Sequence, residues 1–119
     1  GNLLWSRTIG GTEGVAGNEQ VIVGADASDR LTAWRTASGE VAWTSERLMY
    51  RSVSSPLAVG PTVVFVDGEG TVHWMSLDKG EPVLRLSTDS SGAAAAPVAS
   101  GNTLLVVTRN GGLHAFRPE

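Results

Sequence analysis

The sequence predicts an all-β fold of repeated four-stranded antiparallel blades, and three observations carry that prediction. The chain repeats itself with a period of 41 residues. GPTVVFVDGEGTVHW from Gly60 falls on GNTLLVVTRNGGLHA from Gly101, so that Thr62 meets Thr103, Gly70 meets Gly111 and His73 meets His114. Within each copy, short apolar segments rich in Val, Leu and aromatics are cut by Gly-Pro, Asp-Gly-Glu-Gly or Asp-Lys-Gly-Glu-Pro. Such segments have the composition and length of strands closed by tight turns. No window sustains the i, i+3, i+4, i+7 stripe of an amphipathic helix.

Taken in order, residues 3–7 read as an outer strand of a preceding blade, with Trp5 in the place that Trp43 holds later. GNEQVIVGADASDRLTAW, from Gly17, has the Gly-Asn start, apolar run, polar turn and second apolar run of the later copies. Its polar turn reads as about two residues longer. The middle copy gives strands near 55–59, 63–66, 71–76 and 83–87, and the last copy gives three strands. Four short strands per period is the signature of a β-propeller blade. The expected division is an outer strand in 1–11, blades in 12–48 and 49–89, and a last blade in 90–119 that lacks its outer strand.

A single blade leaves both faces uncovered, so blades stack around an axis. Small residues such as Ala58, Ala94, Ala95 and Ala99 suit the crowded inner strands, and outer strands have room for Trp43 or Arg85. A closed propeller needs at least about four blades. About three blades therefore form an open arc of a larger ring, with end faces that favour self-association. Residues 3–7 of one copy are expected to supply the missing outer strand to the last blade of another.

Composition narrows the function. A chain of 119 residues with 41% hydrophobic and 18% charged content has the make-up of one globular domain. Nine Lys and Arg against twelve Asp and Glu give a formal charge of −3, without the basic footprint of a nucleic-acid binder. The longest weakly polar stretch, AAAAPVA, falls far short of the ~20 apolar residues of a membrane span. The absence of cysteine excludes disulfides, thiolate metal sites and cysteine nucleophiles, and it does not fix a compartment. The sequence opens at GNLLW without a methionine and reads as a mature segment or an excised fragment.

Four stretches invite a chemical reading. His73 and His114 hold equivalent places in successive copies, where Thr32 stands in the first. A metal needs ligands converging on one point, which equivalent residues of separate blades achieve only at a ring axis. Asp67-Gly68-Glu69-Gly70 lacks the alternating acids and distant glutamate of a calcium loop. Its counterpart Thr108-Arg109-Asn110-Gly111 keeps only the glycine, so Gly70 and Gly111 read as turn residues with positive φ. Asp89-Ser90-Ser91-Gly92 lacks a nucleophile-elbow pattern and reads as a blade-to-blade crossover capped by its own side chains. The other crossover, Glu46-Arg47-Leu48-Met49-Tyr50-Arg51, gathers residue types favoured at protein contacts. Met49, Tyr50 and Arg51 are the candidate partner-binding residues; no catalytic, cofactor or metal residue is assigned.

DRLTAWRTASGEVAW resembles the quinoprotein-type propeller repeat at Leu31, Ala33, Ser38, Gly39, Glu40 and Trp43. The second copy keeps Gly70, Val72, Gly80 and Glu81, and the third keeps Gly111, Leu113 and Ala115. The succession SSPLAVG, GEGTVHWMSLDKGEP and STDSSGAAAAPVASGNTLLVVTRNGGLHAF resembles the C-terminal third of the BamB family. That resemblance implies an eight-bladed, non-enzymatic propeller at the periplasmic face of the bacterial outer membrane, held by a lipid anchor absent from this chain. It further implies a scaffold that binds the POTRA domains of BamA and other subunits of the β-barrel assembly machinery and assists outer-membrane protein insertion. The alternatives are a fragment of a PQQ-dependent quinoprotein dehydrogenase, whose vicinal cysteine pair is missing here, and a generic propeller module for protein binding.

Overall fold

A computed structural model describes residues 6, 14–89, 91–92, 97–100 and 103–116. The Val-rich segments form three antiparallel sheets. The first is β1 (Val15–Gly17), β2 (Val21–Ala25), β3 (Leu31–Arg35) and β4 (Val41–Ser45). The second is β5 (Leu57–Val59), β6 (Thr62–Val66), β7 (Thr71–Ser76) and β8 (Pro82–Ser87). The third holds β9 (Val98–Ser100), β10 (Thr103–Val107) and β11 (Leu113–Phe116). Each sheet is a meander in chain order, as short hairpin connections dictate. These are the propeller blades expected from the repeat. Of the expected outer strand at residues 3–7 only Ser6 is described, exposed and outside any strand, and Ala94 and Ala95 lie outside the described residues.

The repeat extends to fine geometry. β2, β6 and β10 begin at equivalent positions one period apart. A register shift falls between Ala33 and Trp34 against β4, and between Trp74 and Met75 against β8. Both bulges follow from the same turn: Gly39 N donates to the Arg35 carbonyl and Gly80 N to the Ser76 carbonyl, each glycine with positive φ.

One expectation is corrected. The first copy is no longer than the others: its β1–β2 hairpin pairs Gly17 with Ile22 as β5–β6 pairs Ala58 with Val63 one period on, and its polar turn matches theirs. Asn18 fills that hairpin, its Oδ1 accepting from Gln20 N and Val21 N at 2.9 Å each. The polar turns at 26–30, 67–71 and 108–112 have equal length and the same pair of backbone bonds. Asp26 N, Asp67 N and Thr108 N donate to Arg30, Thr71 and Gly112 carbonyls, and Asp29 N, Gly70 N and Gly111 N close back on Asp26, Asp67 and Thr108.

Alternation along β6 explains how blades stack. Val63 and Phe65 join Val23, Leu31 and Ala33 of the first blade in one core, and Val64 and Val66 join Leu104 and Val106 of the third in another. A strand buried on both faces reads as a continuous apolar run, as VVFV does. The short inner strands follow one another, β1 against β5 and β5 against β9, so the blades fan out as an arc. The outer strand β8 is largely exposed and carries Arg85, as the outer position allows.

Candidate functional site

The polar turns and the two crossovers lie together at one end of the blades, and their side chains bind one turn to the next. In the middle blade the organising group is Asp67, whose side chain is only 1% exposed. Its Oδ1 accepts from Glu69 N at 2.9 Å and Thr71 N at 3.0 Å, closing the β6–β7 turn. Its Oδ2 meets His73 Nε2 at 2.9 Å and Arg51 Nη1 at 3.5 Å. Burial pushes this carboxyl up, but the hydrogen bonds from His73 and from the Thr71 and Glu69 amides outweigh it. The net direction is down, toward the charged form.

The last blade builds the same constellation from different residues. Thr108 stands where Asp67 would, and the carboxylate comes instead from Asp89 in the crossover. Thr108 Oγ1 donates to Asp89 Oδ2 at 2.6 Å, and His114 Nε2 lies 3.6 Å from the same oxygen. Asp89 Oδ1 accepts from Ser91 N at 2.9 Å and from the Ser91 hydroxyl. Hydrogen bonds from Ser91 and Thr108 hold this carboxyl well below the usual carboxylate range. The Ser91 hydroxyl donates to the carboxylate, which also faces the imidazole. A serine–histidine–aspartate relay requires the imidazole between the other two, and here the carboxylate stands between.

Gly70 and Gly111 have φ of 83° and 86°, in the left-handed region that their turns require. Asp29 holds the same place in the first blade at φ 66°. Its carboxylate accepts from Ser52 N at 3.0 Å and Val53 N at 3.4 Å, fixing the crossover 46–56 to the first turn. That crossover also bonds the second turn, Gly68 N donating to the Arg51 carbonyl at 2.7 Å. One period later Arg109 N donates to the Gly92 carbonyl at 2.9 Å. Ser90 lies outside the described residues.

Among the candidate contact residues, Leu48 anchors the loop in the core, Met49 is half-buried and Tyr50 is 78% exposed. Tyr50 has φ 61° and Ser52 φ 56°. A bulky residue in the left-handed region is strained by about 1–2 kcal/mol. The Tyr50 N to Ser28 carbonyl bond at 3.0 Å and the Asp29 contacts hold it there. The strain presents an aromatic ring to solvent. Among the described residues no group of three His, Asp or Glu side chains is placed to hold a metal ion.

The glycines, the crossovers, the histidines and the Asp89 cap were legible in the sequence; the role of Asp67 and the reach of Asp89 to Thr108 and His114 were not. The loss of Asp67 and Glu69 from the last copy reads as dispensability, when Asp89 has replaced Asp67 from another loop. The recurrence of Asp26 and Asp67 one period apart was the available signal.

Comparison with known proteins agrees with this geometry. A family profile described as outer membrane protein assembly factor BamB matches residues 1–45. The outer membrane protein assembly factor BamB of Burkholderia pseudomallei is 42% identical over 119 residues, covering 100% of this chain and 31% of that protein. The BamB of Yersinia pestis is 34% identical over 116 residues, covering 98% of this chain and 30% of that protein. The crystal structure of BamB from Moraxella catarrhalis superposes with a TM-score of 0.78 at 19% identity, over 87% of this chain and 30% of that one. The chain thus spans about a third of the length of the relatives it matches. Its 41-residue blades, their turns and crossovers, and identity running from end to end all agree: the chain belongs to the BamB family.

Proposed function

We propose that this chain is a non-catalytic scaffold segment of the machinery that assembles β-barrel proteins in the bacterial outer membrane, working at its periplasmic face. The observation that carries the reading is the 42% identity to an outer membrane protein assembly factor along the whole chain. The local chemistry supports it. The polar side chains of the turn face bond to backbone amides and to one another, which rigidifies the loops. A rigid loop face suits protein contact. The partners in this reading are the POTRA domains of BamA and neighbouring subunits, with Met49, Tyr50 and Arg51 at the contact.

The strain at Tyr50 makes a clean test. Tyr50→Gly removes the ring and suits φ 61°, so thermal stability is expected to hold or rise by up to about 1 kcal/mol. Capture of this chain by immobilised POTRA domains is expected to weaken about tenfold or more, as for an aromatic anchor. Tyr50→Ala with Arg51→Ala should weaken it at least as much. Unchanged capture by the folded variants would remove these residues from the contact, and no capture of the original chain would remove the partner.

Self-association belongs to the same reading. Among the described residues β11 has no neighbour on its outer side, and Leu113 is exposed. An open strand edge beside apolar surface recruits another strand. Light scattering is expected to give a mass that rises with concentration; a constant monomer mass would count against strand exchange.

A further inference from the structure

A groove of about 450 Å³ lies between the first crossover and the outer part of the middle blade. Arg47 and Arg51 line it from the crossover, and Val83, Leu84 and Arg85 from β8. His73 of β7, which pairs with Arg85 across the strands, lines it too. Its volume is in the range of sites that hold small ligands or peptide anchors.

The charge of this groove is opposite to that of the chain. The net charge is −3, with nine Lys and Arg in all, yet three arginines line this one groove and no aspartate or glutamate does. Arg51 reaches Asp67 at 3.5 Å, a carboxylate already bonded to His73. Among the described residues no carboxylate pairs with Arg47 or Arg85. Two exposed guanidiniums therefore stand beside apolar surface with their fork of donors free. Guanidinium groups favour carboxylates through paired, charge-assisted hydrogen bonds.

We propose that this groove binds an acidic peptide segment of a partner protein, one in which carboxylates alternate with apolar side chains. The carboxylates meet Arg47 and Arg85, and the apolar side chains rest on Val83 and Leu84. The apolar share of the lining favours a peptide over a phosphate backbone or a lipid headgroup, and the chain's net negative charge repels both polyanions at longer range. The charge and lining of the groove favour such a segment whichever assembly the chain serves.

The probe is an end-blocked, dye-labelled peptide alternating glutamate and leucine, titrated with the chain and followed by fluorescence anisotropy. Saturable binding that weakens as salt rises is expected. The same peptide with glutamine in place of glutamate should bind at least about tenfold more weakly. Arg47→Gln with Arg85→Gln should lower affinity by about tenfold or more, and Arg109→Gln, exposed in the last blade and outside the lining, should leave it unchanged. Arg47→Lys with Arg85→Lys keeps the charge, and an intermediate affinity from that variant separates lost recognition from lost folding. Equal binding of the two peptides, no effect of the glutamine variants in a folded chain, or no saturable binding would each overturn the proposal. So would equally tight binding of single-stranded DNA or phosphatidylglycerol vesicles, which would reduce the site to charge alone.

Discussion

Trp43→Ala is expected to destabilise the chain by about 3 kcal/mol, although the indole is only half-buried. Trp43 stands on β4, the outer strand of the first blade, and its Nε1 donates to the Leu77 carbonyl of the second blade at 2.8 Å. Its ring covers Gly80 so closely that a Cβ there would meet the indole carbons at 2.4 Å. The side chain therefore clamps one blade to the next by an apolar contact and a hydrogen bond at once. Trp43→Phe keeps most of the contact and loses the bond, for a cost of about 1 kcal/mol. Gly80→Ala attacks the same clamp from the other side. It adds a methyl group under the ring and places alanine at φ 70°, for about 2–4 kcal/mol. The two sites share one contact, so removing the indole should relieve part of the glycine penalty. The double variant is expected to cost less than the summed single costs by about 1 kcal/mol. Denaturant midpoints of the four chains test this, and strict additivity would mean that the ring does not bear on Gly80.

The blades were legible in the sequence because their cause is local. An apolar run and a five-residue polar turn recur at fixed spacing, and each acts on neighbours a few residues away. The middle-blade strands accordingly fall within two residues of expectation. What was not legible depends on contacts between copies. Gly80 reads as a turn glycine from its Gly-Glu context, and its φ agrees, yet its second constraint comes from Trp43 in the preceding blade. Asp67 and Asp89 serve equivalent histidines from different loops, so aligning one copy with the next shows a lost acid where space shows a replaced one. The longer turn expected in the first copy is absent for a related reason. Gly17-Asn18 matches Gly101-Asn102 by residue type, but Gly17 ends a strand while the hydrogen-bond register begins the next at Val21. Strand pairing sets the alignment, and residue identity in a hairpin does not.

Asp67→Ala is expected to cost about 2–4 kcal/mol near neutral pH, an unusual loss for a turn residue. The carboxylate satisfies two turn amides and His73 and draws in Arg51. Removing it strands buried donors, and a buried group left unpartnered costs about 1–3 kcal/mol. Asp67→Asn keeps an acceptor for the turn and gives up the charge, so its loss should be smaller. The pH dependence separates the two contributions. The folded-state carboxyl lies below its ordinary value of 3.8, so its stabilisation is complete above that value. It is lost as pH falls from there through the lowered folded value. The original chain should therefore lose stability below about pH 4, and Asp67→Asn should lose less over the same interval. Asp89, also shifted down, keeps some slope in both chains, so the informative quantity is the difference between the curves. That difference should shrink steadily on acidification, and denaturation midpoints measured between about pH 6 and pH 2 would show it. Curves that stay parallel through that interval would assign Asp67 to shape alone and not to charge.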